Sequence, residues 1–170
     1  MGIVSRFQPQ KRETKNDFLV LLSGPEPQRT ILENILLAEL RNYKGSVLVV
    51  RGVITNQNLT EASDNFKIVD YLLSEELENA INESQAVICR SGYSTIMDLA
   101  VLGKKAFFIP TPGQFEQEYL AKRLHIKKIA PYCKQENFSI EKLEQINNYR
   151  GFKYNKTTVE LELFKLFDSK

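Results

Sequence analysis

Short apolar runs alternate with segments of helical period along this chain. Residues 18–22 are continuously apolar and precede Ser-Gly-Pro, a pattern that predicts a buried strand ending in a sharp turn. After Pro27, apolar residues recur every three or four positions, as in a helix that buries one face. The same alternation predicts further strands at 47–50, 66–69, 86–89, 105–109 and 129–130, and helices from 74, at 94–102 and at 115–124.

This order of elements predicts an α/β fold, a Rossmann-like parallel sheet with helices on both faces. In open sheets of this kind, ligands bind outside the carboxyl ends of the strands. Function is therefore expected in the loops that follow the predicted strands, at 23–25, 52–53, 70–72, 90–92 and 111–113.

Both ends of the chain differ from this pattern. Residues 8–17 are polar and charged, which predicts that 1–17 form a linker or the end of an interdomain segment and that one domain occupies 18–170. Two C-terminal helices are predicted, at 139–149 and 157–167. The apolar face of the second has two interpretations, contact with the domain's own core and an interface for a partner.

Composition narrows the class of partner. The chain has 170 residues, 42% of them hydrophobic, which is enough for one core. Its 23 basic residues nearly balance 21 acidic ones, so the broad positive field of nucleic-acid-binding proteins is not expected. Two cysteines cannot build a disulfide framework and the first residues do not form a signal-peptide run, which predicts a cytoplasmic protein. No apolar stretch reaches the ~20 residues of a membrane span, and peripheral membrane association stays open.

Candidate chemistry follows the strand predicted at 86–89. A Ser-Gly turn that leads into a helix directs N–H groups and the positive helix end towards one point, an arrangement that favours a phosphate. Gly92 would admit a ligand close to the backbone, and the hydroxyls of Ser94 and Thr95 could either donate to phosphate oxygens or cap the helix. Arg90 could offset phosphate charge or pair with a carboxylate.

Two further features lie nearby in the sequence. Asp98 shares a helix face with Ser94 and Thr95, where its carboxylate could accept hydrogen bonds from a ribose diol or stabilise the helix start. The polar start of the helix at 115–124 suits sugar hydroxyls and equally suits plain solvation. The sequence has no P-loop or G-x-G-x-x-G pattern and only one histidine, His125, so we expect neither a metal site nor a cofactor.

Three stretches taken together resemble a known family: AVICRSGYSTIMDL at 86–99, GKKAFFIP at 103–110 and QEYLA at 117–121. They are similar to the MurG-like C-terminal domain of family 28 glycosyltransferases, the donor-binding half of a GT-B fold. The resemblance extends from about Phe18 to Ile146. It implies that a nucleotide-diphosphate sugar, most often a UDP-sugar, lies across the carboxyl edge of the sheet.

The resemblance also implies roles for single residues. It places Ser91 and Gly92 near the diphosphate, and Asp98 at the ribose, where the family usually has a glutamate. It places Leu72 in the loop whose backbone contacts uracil. The candidate donor site is completed by the first phosphate-side loop (Ser23, Gly24), by side chains at the donor's sugar hydroxyls (Gln117, Glu118) and by the residues suggested by pattern alone (Arg90, Ser94, Thr95).

The chain also departs from the family pattern. Its first loop has one glycine flanked by Pro25 and Pro27, and Gly113 stands where the family often has a histidine. Family members hold the acceptor and the general base in an N-terminal domain, so no catalytic residue is expected in this chain. The resemblance implies metal-independent sugar transfer to a hydroxyl when an N-terminal acceptor domain or a partner subunit is supplied, and binding without turnover in the isolated chain.

Two origins of such a half enzyme are considered. The linker-like residues 8–17 favour a chain cut at an interdomain linker. The other origin is a natural half-subunit, similar to the small subunit of the eukaryotic dolichol-linked N-acetylglucosaminyltransferase. Two other functions stay open at this point: a domain of a nucleotide-sugar epimerase with the same two-domain architecture, and a non-catalytic partner module that docks through 157–167.

Overall fold

The computed structural model describes residues 5, 7–54 and 60–153 of the chain. Its strands are β1 (Asn16–Leu21), β2 (Val47–Val50), β3 (Thr60–Ala62), β4 (Phe66–Val69), β5 (Ser84–Cys89) and β6 (Lys105–Phe108). Its α-helices are α1 (Gln28–Leu40), α2 (Ser74–Asn82), α3 (Tyr93–Leu102) and α4 (Phe115–Ile126), and 3-10 helices occupy Gln135–Asn137 and Ile140–Asn148. Strands and helices alternate, as the hydrophobic pattern predicts.

The strands form one sheet in the order β3-β4-β2-β1-β5-β6. Every neighbouring pair is parallel except β3 with β4. At the centre of the sheet, Phe18 of β1 lies opposite Val47 of β2 on one side and Ala86 of β5 on the other. Because the parallel strands run in one direction, their carboxyl ends meet at one edge. The predicted Rossmann-like α/β fold is confirmed.

Apolar layers cover both faces of the sheet. Leu19 and Val20 are neighbours in β1, are both fully buried, and belong to opposite layers. Helix α1 and the 3-10 helix Ile140–Asn148 pack on the Val20 side, and α2, α3 and α4 pack on the Leu19 side. Burial on both faces explains why the central strands are continuous apolar runs rather than alternating ones.

Three elements differ from the prediction. Strand β3 was not predicted, because Thr-Glu-Ala is polar and pairs only with β4 at the sheet edge. The strand predicted at 129–130 is wrong: an isolated parallel bridge joins Phe108 to Tyr132 instead, next to Pro131, which has no N–H to donate to a strand ladder. The helix predicted at 139–149 is the 3-10 helix Ile140–Asn148.

The segment ahead of the sheet is attached to it. Strand β1 begins at Asn16, earlier than the predicted Phe18, because the N–H groups of Lys15 and Asn16 both donate to the carbonyl of Glu83. Phe7 is only 4% exposed and packs in the apolar layer on the Leu19 side. The helix predicted at 157–167 lies outside the described residues. Within the ranges that are described, no helix is long and apolar enough to cross a membrane.

Candidate functional site

A cavity of about 290 Å³ opens at the carboxyl ends of β1, β2 and β5, beside the loop that follows β4. Its lining includes five of the predicted donor-binding residues: Ser23, Leu72, Ser94, Thr95 and Asp98. These residues come from the loop after β1, the loop after β4 and helix α3, which are distant in sequence, and the sheet topology brings them together. Phe7 and Tyr71 also line the cavity and were not singled out from the sequence. Phe7 lies ahead of the predicted domain and belongs to no apolar pattern that would have marked it.

Gly92 is the N-cap of α3, and the part of the chain that the structure describes leaves space beside it. Its φ of −71° is accessible to any residue, and an added Cβ would meet no described atom within 4 Å. Neither the backbone nor the neighbours therefore require glycine at this position. The described side chains provide no cap for the helix, and Ser94 in its first turn is exposed. Since the first N–H groups of a helix have no intrahelical partner and carry its positive pole, this space suits an anion.

The loop after β1 lies at the same edge of the sheet, because β1 is the neighbour of β5. Gly24 has a φ of +105°, in the region that favours glycine, and an added Cβ would lie 3.7 Å from Oγ1 of Thr111. The predicted phosphate-side loop therefore lies beside the loop that follows β6. Ser23, exposed next to Gly24, lines the cavity.

Asp98 lies in the second turn of α3, half-buried and facing the cavity. Its Oδ1 accepts a hydrogen bond of 2.8 Å from the Ser5 hydroxyl. The oxygen of that hydroxyl in turn accepts a bond of 3.1 Å from the Phe7 N–H. The predicted common face of Ser94, Thr95 and Asp98 is confirmed, because all three line one cavity.

Arg90 connects loops instead of facing the cavity. The side chain is buried, with 1% of the residue exposed, and burial lowers the pKa of its guanidinium to about 10. It donates to four neutral oxygens: the carbonyls of Gln28, Ile109 and Pro110 and Oε1 of Gln135. The interpretation that Arg90 pairs with a carboxylate is therefore wrong. Contact with a phosphate stays a prediction, and the bonds that the structure shows tie the start of α1 to the loop after β6.

Ser91 has a similar internal partner. It is fully buried, and its hydroxyl donates to the carbonyl of Gln117 over 2.7 Å. The side chain thus links the turn before α3 to the first turn of α4. Because the Ser91 hydroxyl has this internal partner, a ligand at this position would contact the backbone between Ser91 and Gly92.

Gln117 and Glu118 fold back on their own loop. Oε1 of Gln117 accepts from the N–H of Thr111 over 2.9 Å, and Oε1 of Glu118 accepts from the N–H of Gly113 over 3.1 Å. Glu118 also lines a second cavity of about 380 Å³, together with the exposed Phe115. Neither residue lines the first cavity. Their predicted contact with sugar hydroxyls stays a prediction.

A chain of ion pairs lies behind these loops and was not predicted. Glu33 of α1 accepts from Arg29 over 2.7 Å and from Arg51 over 2.6 Å, and Arg51 also donates to Asp70 over 2.9 Å. The bond to Glu33 is the main reason why the pKa of Arg51 lies above its ordinary value. Asp70 is completely buried and is the first residue of the loop predicted at 70–72. The i, i+4 spacing of Arg29 and Glu33 was the one local signal of this network.

Of the other reactive side chains, His125 lies away from the first cavity, whereas Cys89 forms part of its wall. His125, near the end of α4, lies 2.6 Å from the Tyr149 hydroxyl. Cys89 is buried inside β5, and burial raises the pKa of its thiol. Among the described residues, no three His, Cys, Asp or Glu side chains are grouped so that they could hold a metal ion.

Comparison with known sequences gives a family match. The family model for the Glycosyltransferase family 28 C-terminal domain matches residues 22–154. Among curated proteins, the chain is 29% identical over 133 residues to the UDP-N-acetylglucosamine--N-acetylmuramyl-(pentapeptide) pyrophosphoryl-undecaprenol N-acetylglucosamine transferase of Haemophilus ducreyi. That alignment covers 75% of this chain and 37% of the relative. The chain thus spans well under half the length of this relative.

Comparison with solved structures identifies the fold. The crystal structure of MurG from Acinetobacter baumannii superposes with a TM-score of 0.59 at 17% identity, covering 93% of this chain and 51% of that one. The NMR solution structure of ALG13 superposes with a TM-score of 0.62 at 14% identity, covering 92% of this chain and 98% of that one. The same fold therefore occurs both within a chain about twice as long and as a chain of similar size.

Proposed function

Since this chain belongs to the family of glycosyltransferase family 28 C-terminal domains, we propose that it binds the UDP-sugar donor of a glycosyltransferase. The observation that carries the proposal is the cavity of about 290 Å³, which brings Ser23, Leu72 and Asp98 together beside the start of α3. Such a cavity is of the size expected for part of a nucleotide, with the rest of the ligand lying along the open edge.

Each part of a UDP-sugar has a matching feature at this edge. The diphosphate would lie at the start of α3, in the open space in front of Gly92 and next to the loop of Ser23. The ribose would bind the carboxylate of Asp98, and the base would contact the backbone around Leu72. The sugar would then extend towards the loop after β6 and the side chain of Gln117.

The chemical contribution of this chain would be electrostatic. When the glycosidic bond to the diphosphate breaks, negative charge develops on the leaving oxygen. The N–H groups and the dipole at the start of α3 are held in place before the reaction and would stabilise that charge. The acceptor hydroxyl and its general base would come from a second unit, either an N-terminal acceptor domain or a partner subunit, so the isolated chain should bind without turnover.

The lengths of the matching proteins support a second unit. The chain corresponds to about half of the matched MurG structure, and to nearly all of ALG13. Both a covalently attached domain and a separate subunit are therefore compatible with the fold. The curated relative is a transferase, which supports glycosyl transfer over an epimerase reaction.

Calorimetric titration with UDP, ADP and GDP tests the proposal. We expect saturable UDP binding with a Kd on the order of 0.1–1 mM, because only one side of the interdomain cleft is present. Asp98→Ala should weaken UDP binding about tenfold, since charge-assisted hydrogen bonds to the ribose are lost. Asp64→Ala, which removes an exposed aspartate of the β3–β4 turn, is the matched control and should leave the Kd unchanged. Absence of UDP binding at several millimolar would refute the proposal.

A further inference from the structure

A segment that precedes the family match takes part in the candidate site. The match begins at residue 22, whereas the described residues 5 and 7–10, here called the N-terminal strap, lie against α2 and α3. The strap contributes Phe7 to the wall of the cavity that contains Leu72 and Asp98. It therefore reaches the proposed ribose position from outside the domain that the family pattern defines.

The strap is anchored along α2. The N–H of Gln10 donates to Oδ1 of Asn82 over 3.2 Å, and Nδ2 of Asn82 donates to the carbonyl of Gln8 over 3.3 Å. Nε2 of Gln10 donates to Oε1 of Glu78 over 2.7 Å. Phe7 is 4% exposed within the apolar layer between the sheet and the helices. A ligand that displaced the strap would have to expose this ring, so the strap acts as a fixed wall and not as a removable plug.

Ser5 connects the strap to Asp98. Its oxygen accepts the Phe7 N–H, which directs its hydrogen towards Oδ1 of Asp98, 2.8 Å away. The terminal torsion of an aspartate is broad, so a directed hydrogen bond restricts the orientation of its carboxylate. A carboxylate can accept about four hydrogen bonds, and the Ser5 hydroxyl occupies one of these positions on Asp98.

We propose that Ser5 is a positioning residue for donor binding: it orients the Asp98 carboxylate towards the ribose hydroxyls, and Phe7 holds Ser5 in place. This inference rests on the proposed function, because it assigns Asp98 to the ribose of a UDP-sugar. It adds that the site is incomplete without residues ahead of the domain.

The test compares UDP with dideoxy-UDP, which lacks both ribose hydroxyls, on the full 170-residue chain. Ser5→Ala should weaken UDP binding about fivefold and leave the affinity for dideoxy-UDP unchanged, because only the ribose contacts depend on Asp98. In an Asp98→Ala background, Ser5→Ala should cause no further loss. Ser5→Thr retains the hydroxyl and should restore UDP binding. Ser63→Ala removes an exposed serine hydroxyl in the β3–β4 turn and is the matched control.

The outcomes distinguish failure of the proposed UDP-sugar binding from failure of the positioning role of Ser5. If the parent chain does not bind UDP, the proposed function fails and the role of Ser5 fails with it. If the parent binds UDP but Ser5→Ala weakens both nucleotides equally, or neither, the positioning role is wrong. Tighter UDP binding by Ser5→Ala would overturn it as well, because the strap would then compete with the nucleotide. A lower thermal midpoint in Ser5→Ala would not blur the result, since both nucleotides meet the same folded fraction.

Discussion

The turn from β5 into α3 and the turn from β6 into α4 lie side by side at the carboxyl edge, and both are rich in polar residues. At the first, the described residues provide no side-chain cap for the helix and leave space beside Gly92. At the second, the side chains of Gln117 and Glu118 bond the backbone N–H groups of Thr111 and Gly113. Described side chains therefore bond backbone N–H groups ahead of α4, whereas no described side chain caps the start of α3.

This difference has a consequence for the proposed donor. The diphosphate would find N–H groups and a helix pole already in place at α3, at little cost in reorganisation. The sugar would meet a side chain, Gln117, whose amide already bonds Thr111 and Gln114, so only its second lone pair and its second N–H remain for a hydroxyl. We therefore expect the nucleotide part to supply most of the affinity and the sugar part to add little.

The largest effect is expected when the link between the two turns is removed. Arg90→Met takes the guanidinium away from four oxygens and leaves buried carbonyls without a donor. The free energy of unfolding, measured in urea, should fall by about 3 kcal/mol. Arg41→Met is the control, because Arg41 is exposed and 3.5 Å from Glu61, and should cost less than about 1 kcal/mol. Equal losses in the two variants would show that Arg90 does not hold the turns together.

The next effect distinguishes the turn from β5 into α3, here called the open turn, from the turn from β6 into α4, here called the closed turn. Gly92→Val fills the space in front of α3 and should weaken UDP binding more than about tenfold. Its stability should fall by about 1 kcal/mol, because the Cβ meets no described neighbour and valine is a poorer N-cap than glycine. Gly113→Ala is the matched glycine of the other turn. It should cost about 1 kcal/mol, since the φ of Gly113 is +79°, and should leave UDP binding unchanged. Normal UDP binding by Gly92→Val would contradict the assignment of the open turn to the diphosphate.

The smallest effect sharpens the description of the closed turn. Gln117→Ala leaves the N–H of the buried Thr111 without its acceptor and should lower the free energy of unfolding by about 1 kcal/mol. The Kd for UDP should change less than about twofold. Gln117→Glu keeps an acceptor for Thr111 and should retain stability. The Kd of Gln117→Glu is then compared with that of the parent for UDP and for UDP-N-acetylglucosamine. Weaker binding of UDP-N-acetylglucosamine alone would assign the amide to a contact with the sugar. An unchanged Kd for both ligands would exclude that contact.

The fold was predictable because its signals are local. Strands buried on both faces are continuous apolar runs, and helices between them repeat every three or four residues, so a short window of sequence identifies each. Strand β3 was missed because its three polar residues form a strand only through pairing with β4. The strand expected at 129–130 is replaced by an isolated bridge between Tyr132 and Phe108. This bridge was not predictable because it depends on Phe108, which is distant in sequence from Tyr132.

The candidate site was predictable in its residue types and in its place at the sheet edge. Ser23, Leu72 and Asp98 line one cavity because parallel strands end at one edge, a property that follows from the order of elements. The contribution of Ser5 and Phe7 was not predictable. Ser5 bonds a residue 93 positions away, and its neighbours in sequence carry no pattern that indicates this contact.

The amino-acid sequence by itself determined the α/β fold, the family and the set of polar residues at the carboxyl edge, because periodicity and motif spacing are properties of neighbouring residues. Only the tertiary structure decided which of those residues line the cavity. Arg90, Ser91 and Gln117 are as polar as Asp98, yet their bonds go to internal oxygens and N–H groups. A hydrogen-bonding group takes the partner that the fold brings within about 3 Å, and that partner lies in another loop, far along the chain.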